Sequence, residues 1–220
     1  MRRLCLTLSV AALLSLIGRS SFATSIFVES DASTLCAAVS SGVPTTAELT
    51  KLNGGNTAGL TFHTVFPGAQ GTFTPVPPGA PAGTEVVSIP LIVSSVSPSG
   101  FFEVTFDLPS VFEDVQLTGV ANADDKGRAF LNGHAISPAL SATGHIDEFD
   151  NVGFSTSDAS YFEPGENVLL IADDNTGGPS GVAFYADITY NTVPEPATMT
   201  LFGLGLAGLI GRRIRRSSGR

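Results

Sequence analysis

The chain has 220 residues, 24 of them Gly and 14 Pro, and a formal net charge of −9. This length leaves room for one domain of ordinary size, and the scarcity of apolar residues at helical spacing excludes an α-helical protein. Between residues 24 and 193, 19 acidic residues face 3 basic ones, a net charge of −16, which argues against DNA or RNA as a partner.

The N-terminus has the order of a secretory signal peptide. Two arginines precede an apolar stretch from Leu4 to Ile17, and small residues follow at Ser21 and Ala23. The apolar stretch is shorter than the ~20 residues that a membrane-spanning helix needs. We therefore predict an N-terminal signal helix within a signal peptide over residues 1–23, with cleavage after Ala23.

The first part of the mature chain gives weak signals. Ser25 to Val28 and Thr61 to Phe66 have the residue types of strands, and Thr45 to Leu49 those of a helical turn. The rest of residues 32–59 predicts no clear element. Five prolines and several glycines from Pro67 to Gly83 predict a long loop.

After that loop the strand pattern is clearer. From Phe102 to Leu108 apolar residues alternate with polar ones, as in a strand with one buried face, and Asn132-Gly133 predicts a type I′ hairpin turn. Further strands are predicted at Glu85 to Val93, around Val115 and Leu117, at Val168 to Ala172 and at Val182 to Tyr190. Such spacing predicts an all-β fold, an antiparallel β-sandwich of two packed sheets.

The C-terminus has three parts in order. Pro194, Glu195 and Pro196 come first, an apolar run from Met199 to Gly211 follows, and a basic cluster ends the chain. The cluster consists of Arg212, Arg213, Arg215 and Arg216. The prolines keep their segment extended. The arginines stop export with the chain end on the cytoplasmic side of the inner membrane. A 13-residue helix covers only about 20 Å of a bilayer core of about 30 Å, so this C-terminal hydrophobic helix is better suited to a removable tail than to a lasting anchor.

These three parts, over residues 193–216, resemble the PEP-CTERM sorting signal of Gram-negative bacteria. The resemblance implies that an exosortase, a membrane protease, recognises and cuts the tail, and that the inner membrane holds the chain only transiently with its domain outside. It also implies a destination at the cell surface or in the extracellular matrix, in association with exopolysaccharide or another glycan.

A second resemblance covers about Phe101 to Tyr190. Segments 123–133, 162–169 and 173–190 are similar, in order and spacing, to turns and strands of galactose-binding-like jelly-roll domains. The resemblance implies a β-sandwich of jelly-roll type over residues 24–192, a fold that commonly binds carbohydrate through loops at one end.

Oxygen-rich loops supply the candidate ligand residues: Asp124, Asp125, Asn132, Asp173, Asp174 and Asn175. Their carboxylate and amide oxygens suit sugar hydroxyls or Ca²⁺, the one cofactor that the sequence suggests. For the first pair we favour the alternative of an Asx turn that satisfies backbone donors. With no Trp present, Tyr161 and Tyr185 are the tyrosines expected to face outward for sugar stacking.

No catalytic motif stands out. His63, His134 and His145 are scattered, no nucleophile elbow or Cys-x-x-Cys occurs, and Cys36, alone in the mature chain, is expected to be a small buried side chain. The expected function is therefore a non-catalytic binding or structural module. A secreted polysaccharide hydrolase is the alternative, because the many acidic residues could supply two catalytic carboxylates.

Overall fold

The computed structural model describes residues 22–41, 43–67, 76–89, 98–138, 150–178, 181–193 and 203–206. Most of the predicted signal peptide, His145, the Pro194 to Pro196 motif and the arginine cluster lie outside these residues. Residues 203–206 are helical, but the rest of the predicted C-terminal helix and the signal helix are outside the described residues, so both helices stay predictions. Within the described ranges, no helix is long and apolar enough to cross a membrane.

Twelve strands and two short helices make up the described elements between residues 22 and 193. In chain order the strands are β1 (Phe22–Glu29), β2 (Leu35–Ala38), β3 (His63–Thr64), β4 (Phe66–Pro67), β5 (Val87–Ser88), β6 (Gly100–Leu108), β7 (Phe112–Ala123), β8 (Lys126–Leu131), β9 (His134–Ala135), β10 (Asp150–Thr156), β11 (Gly165–Asp174) and β12 (Val182–Thr192). The helices are α1 (Thr46–Asn53) and a 3-10 turn (Ala159–Tyr161).

The strands form two antiparallel sheets. In sheet A, β12 lies beside β7 on one side and beside β1 and β5 on the other, while β10 and β4 extend the two edges. Sheet B has the order β3-β2-β6-β11-β8-β9. The prediction of an all-β antiparallel sandwich is confirmed.

The main core lies between the sheets, and β12 shows why the strands form there. Its even-numbered residues from Val182 to Tyr190 are buried, whereas Asp187 and Thr189 between them are exposed. This period of two places every second side chain in the core, as the sequence pattern predicts. In β7, Val115 and Leu117 are buried in the same way.

Helix α1 covers the outer face of sheet B. Thr45 and Glu48 form a capping box at its start: Glu48 N donates to Thr45 Oγ1 at 3.4 Å, and Thr45 N donates to Glu48 Oε2 at 2.7 Å. Leu52 is fully buried against a second apolar cluster that includes Phe101, Phe130 and Leu170. Residues 32–59, which had no clear element in the sequence, therefore supply β2 and the cover of this face.

Two further expectations can be compared with the structure. The strand predicted from Glu85 to Val93 is limited among the described residues to β5, because Glu85 N instead donates to Ser30 O in a loop contact. The type I′ turn is confirmed, since Asn132 and Gly133 have φ of 48° and 81° between the paired Leu131 and His134.

Burial of Cys36 is confirmed as well. Its side chain lies in the main core, and burial raises the pKa of the thiol to about 11. A thiol with such a pKa is almost entirely protonated near neutral pH, which makes it a poor nucleophile.

Candidate functional site

Five of the six predicted ligand residues meet at one end of the sandwich. Asp124 and Asp125 connect β7 to β8, and Asp125 N donates to Asp174 O at 3.3 Å. Asp174 lies opposite Lys126 in the β11–β8 register, and Asp173 and Asn175 flank it in the chain. The structure therefore brings the loop that follows β7 close to the loop that follows β11.

Most of these side chains are closed off from solvent. Asp125 is 5% exposed and Asp174 2%, and Asn175 is fully buried. Asp125 Oδ2 accepts hydrogen bonds from the backbone N, at 2.7 Å, and the hydroxyl of Thr176. Asn175 Oδ1 accepts one from Gly177 N at 3.0 Å. They stabilise turns, as Asx-type side chains do, and a sugar could reach them only by displacing these contacts.

Burial and neighbouring charges raise the pKa of two carboxyl groups at this closed end. Burial, and then the neighbouring Asp125 carboxylate, raise the pKa of Asp124 to about 6. Burial also raises the pKa of Asp174, against the opposing effect of the Lys126 ammonium. Among the described residues, no three His, Cys, Asp or Glu side chains converge as metal ligands do, so Ca²⁺ stays a prediction of the sequence alone.

Asn132 lies at the opposite end of β8, six residues or about 20 Å along the strand. Its Nδ2 donates to Tyr161 O and to Asn167 Oδ1, both at 2.8 Å, and its Oδ1 accepts from Val168 N at 2.8 Å. The structure therefore separates Asn132 from the other candidates and places its amide in a hydrogen-bond network within the domain.

An open groove lies elsewhere, between β1 of sheet A and β6 of sheet B. Among the described residues β2 pairs with β6 only from Gly100 to Glu103, so the rest of β6 borders the groove on that side. The groove has a volume of about 430 Å³. Its polar lining consists of Glu29, Asp31, Ser33, Glu103 and Thr105.

An aromatic pair, the exposed Phe27 and the half-buried Tyr185, lies at one rim of this groove. Phe27 is 45% exposed and lines the groove, and its ring stacks on that of Tyr185 with 5.9 Å between centroids and 15° between planes. Tyr185 Oη donates to Pro78 O at 3.2 Å, which fixes the ring. Tyr161, the other tyrosine expected to face outward, is half-buried and stacks on His134 near Asn132, away from the groove.

The groove carboxylates differ in environment. Burial, and secondarily the Glu166 carboxylate on β11, raise the pKa of Glu103. Glu29 Oε2 accepts a hydrogen bond from Thr84 Oγ1 at 2.7 Å, and Asp31 Oδ1 accepts one from Ser33 N at 2.7 Å. Sequence reasoning missed this site; its one local signal is the acidic pair that follows the predicted strand from Ser25 to Val28.

At the C-terminus, the family model for the PEP-CTERM protein-sorting motif matches residues 192–216. The chain carries a PEP-CTERM sorting motif. The match includes Pro194 to Pro196 and the arginine cluster, in agreement with the sequence-based assignment. A PEP-CTERM chain is an exported protein of a Gram-negative bacterium that an exosortase, a membrane protease, recognises.

Two solved structures show similarity to the chain outside its PEP-CTERM motif. A family 35 carbohydrate binding module from Clostridium thermocellum aligns over 56% of this chain and 95% of its own, with 16% identity and a TM-score of 0.29. A β-porphyranase of glycoside hydrolase family 86 from the human gut bacterium Bacteroides plebeius aligns over 78% of this chain and 33% of its own, with 14% identity and a TM-score of 0.27. No curated protein matches the chain.

Proposed function

We propose that the PEP-CTERM protein is a non-catalytic glycan-binding module that the sorting system delivers to the cell surface or extracellular matrix, where it associates with exopolysaccharide. The observation that carries this proposal is the exposed Phe27 ring, stacked on the half-buried Tyr185, on the rim of an open groove. A large aromatic ring left in solvent beside a concave polar surface is typical of a binding site.

The groove offers the two kinds of contact that a sugar needs. The exposed ring of Phe27 can stack on the apolar face of a sugar, and its partner Tyr185 keeps it in a fixed orientation. The carboxylates of Glu29 and Asp31 can accept hydrogen bonds from sugar hydroxyls, and the hydroxyl of Thr105 can donate or accept them. Carboxylate acceptors form stronger hydrogen bonds than neutral acceptors do. The groove therefore favours polar ligands over apolar ligands.

Charge narrows the class of glycan. The net charge of −16 over residues 24–193 repels uronic acid and sulfated polysaccharides. Three acidic side chains also line the groove itself, so an acidic glycan would be repelled at the site as well. We therefore expect neutral or amino-sugar polysaccharides to bind better than acidic ones.

A glycan array followed by calorimetry tests the proposal on the full exported protein. We expect Phe27→Ala to lower affinity about tenfold, close to the free energy of one aromatic contact. Phe66→Ala is the matched control, since Phe66 is 50% exposed but does not line the groove. The proposal would be wrong if no glycan bound, or if the two variants weakened binding equally.

A secreted polysaccharide hydrolase is the second candidate, and the raised pKa of Glu103 favours it. A raised pKa makes a carboxyl group better suited to act as a general acid, and Glu29 and Asp31 line the same groove. Release of reducing ends from a bound polysaccharide, lost in Glu103→Gln but kept in Asp107→Asn, would establish hydrolysis. Binding without any release supports the module.

A further inference from the structure

The two ends of the folded chain meet at one end of sheet A. Phe22 lies opposite Thr192, and Ala23 opposite Asn191, in the antiparallel β1–β12 pair. The PEP-CTERM match begins at Thr192, and the predicted signal-peptide cut follows Ala23. The two processing points are therefore neighbours in space, although they lie at opposite ends of the mature sequence.

The sorting motif follows the last strand with almost no linker. Pro194 is two residues beyond Thr192, and two residues span at most ~7 Å. A protease that grips the motif must therefore work within about 7 Å of the folded domain while β12 is paired to its end. Local fraying of a strand end is the ordinary way in which such a segment becomes accessible.

We propose that signal-peptide cleavage after Ala23 removes the β1 partners of the end of β12, and that fraying of this end from its one remaining neighbour, β7, gives the exosortase access to the motif. The first remaining β1 residue, Thr24, lies opposite Tyr190. When the end frays, Pro194 is four residues beyond the paired Tyr190, with a reach of ~14 Å. The inference depends on the predicted cleavage site and the PEP-CTERM match, and not on glycan binding.

The contacts that remain at this end are those with β7 alone. Asn191 and Thr192 stay paired with Glu113 and Phe112, but the β7 ladder is irregular between Thr189 and Asn191. The side chain of Asn191 donates to Asp114 Oδ2 at 2.9 Å, but this hydrogen bond is exposed to solvent. Loss of two residue pairs with β1 is therefore enough to raise the frayed population about tenfold, which corresponds to ~1.4 kcal/mol.

Cleavage of a transiently opened segment follows the population of the open form. The test compares two full-length chains with different signal peptides, one whose mature form begins at Thr24 and one that retains Phe22 and Ala23. Both carry a C-terminal epitope after Arg220, and loss of the epitope is followed by pulse-chase in a host with the exosortase. We expect the chain that retains the two residues to lose its tail about tenfold more slowly.

A linker separates access from other effects. Four Gly and Ser residues inserted between Val193 and Pro194 should bring both chains to the same fast rate, because the motif then no longer abuts β12. Equal rates without the linker would overturn the inference, as would a rate difference that the linker leaves in place. Mass spectrometry of the natural mature protein supplies the remaining check: an N-terminus at or before Phe22 would also overturn it.

Discussion

Replacing Asn167 with alanine removes the amide that holds the turn before β11. Its Oδ1 accepts hydrogen bonds from Glu163 N and Asn132 Nδ2 at 2.8 Å, and its Nδ2 donates to Glu163 O at 2.8 Å and to Gly165 O at 2.9 Å. The side chain is fully buried, so its partners cannot turn to bulk water. Four hydrogen bonds at ~1 kcal/mol each predict a loss of about 4 kcal/mol. At about 2–4 °C per kcal/mol, the melting temperature should fall by ~10 °C.

Thermal unfolding of the purified protein, followed by circular dichroism, measures this loss. Asn56→Ala is the control, because Asn56 is exposed and its Oδ1 accepts a single hydrogen bond, from Ala58 N at 3.0 Å. We expect the control to shift the melting temperature by no more than about 2 °C. If Asn167→Ala behaved like the control, the network that includes Asn132 would not stabilise the fold, and a ligand role for Asn132 would regain support.

Two further predictions concern Asp124, in the loop after β7, and Gly119, on β7 of sheet A. Because folding raises the pKa of Asp124 from its ordinary 3.8 to about 6, the folded state binds the proton more tightly, and stability falls as pH rises from about 4 to above 6. The full effect on the free energy of unfolding would be ~3 kcal/mol, but solvent screens the half-exposed side chain. In urea unfolding, we therefore expect the fall in stability between pH 4 and pH 7 to be ~1 kcal/mol smaller in Asp124→Asn than in the natural protein. Gly119→Ala should lower the free energy of unfolding by ~2 kcal/mol or more, because a Cβ would lie 2.3 Å from the Phe154 ring. The control Gly153→Ala has open space around it and should change the free energy of unfolding by less than ~0.5 kcal/mol. Equal effects of the two substitutions would contradict the packing described.

The sequence pattern predicts those strands whose two faces differ. β12 alternates because one face lies in the core and the other in solvent. Asn132-Gly133 marks the turn between β8 and β9 through local backbone chemistry. Helix α1 is harder to predict, since its eight residues include one buried side chain, Leu52, and only the Thr45 capping box signals its start. β2 lies where the sequence predicted no element, whereas β3, β4 and β5 fall in or at the end of the strands predicted from Thr61 to Phe66 and from Glu85 to Val93. Their short lengths depend on pairing with distant segments, which no local pattern encodes.

The candidate site shows the same limit. Turn-forming residue types mark the loops of Asp125 and Asp174, but the burial of these side chains depends on how the loops close over them, which residue type alone does not determine. The groove was missed because it forms between Glu29 and Glu103, which belong to different sheets and are distant in sequence. Tyr185 was expected to face outward, yet its stacking on Phe27 follows from the β1–β12 register.

Pairing of the first strand with the last also governs when the protein can fold. Thr24 and Tyr190 lie near opposite ends of the mature chain and pair in sheet A. Contacts between such distant residues form slowly. They cannot form at all until β12 has passed through the membrane. We therefore expect the chain to remain open throughout translocation, as passage through a narrow channel requires, and chains that end before Val182 to stay sensitive to protease.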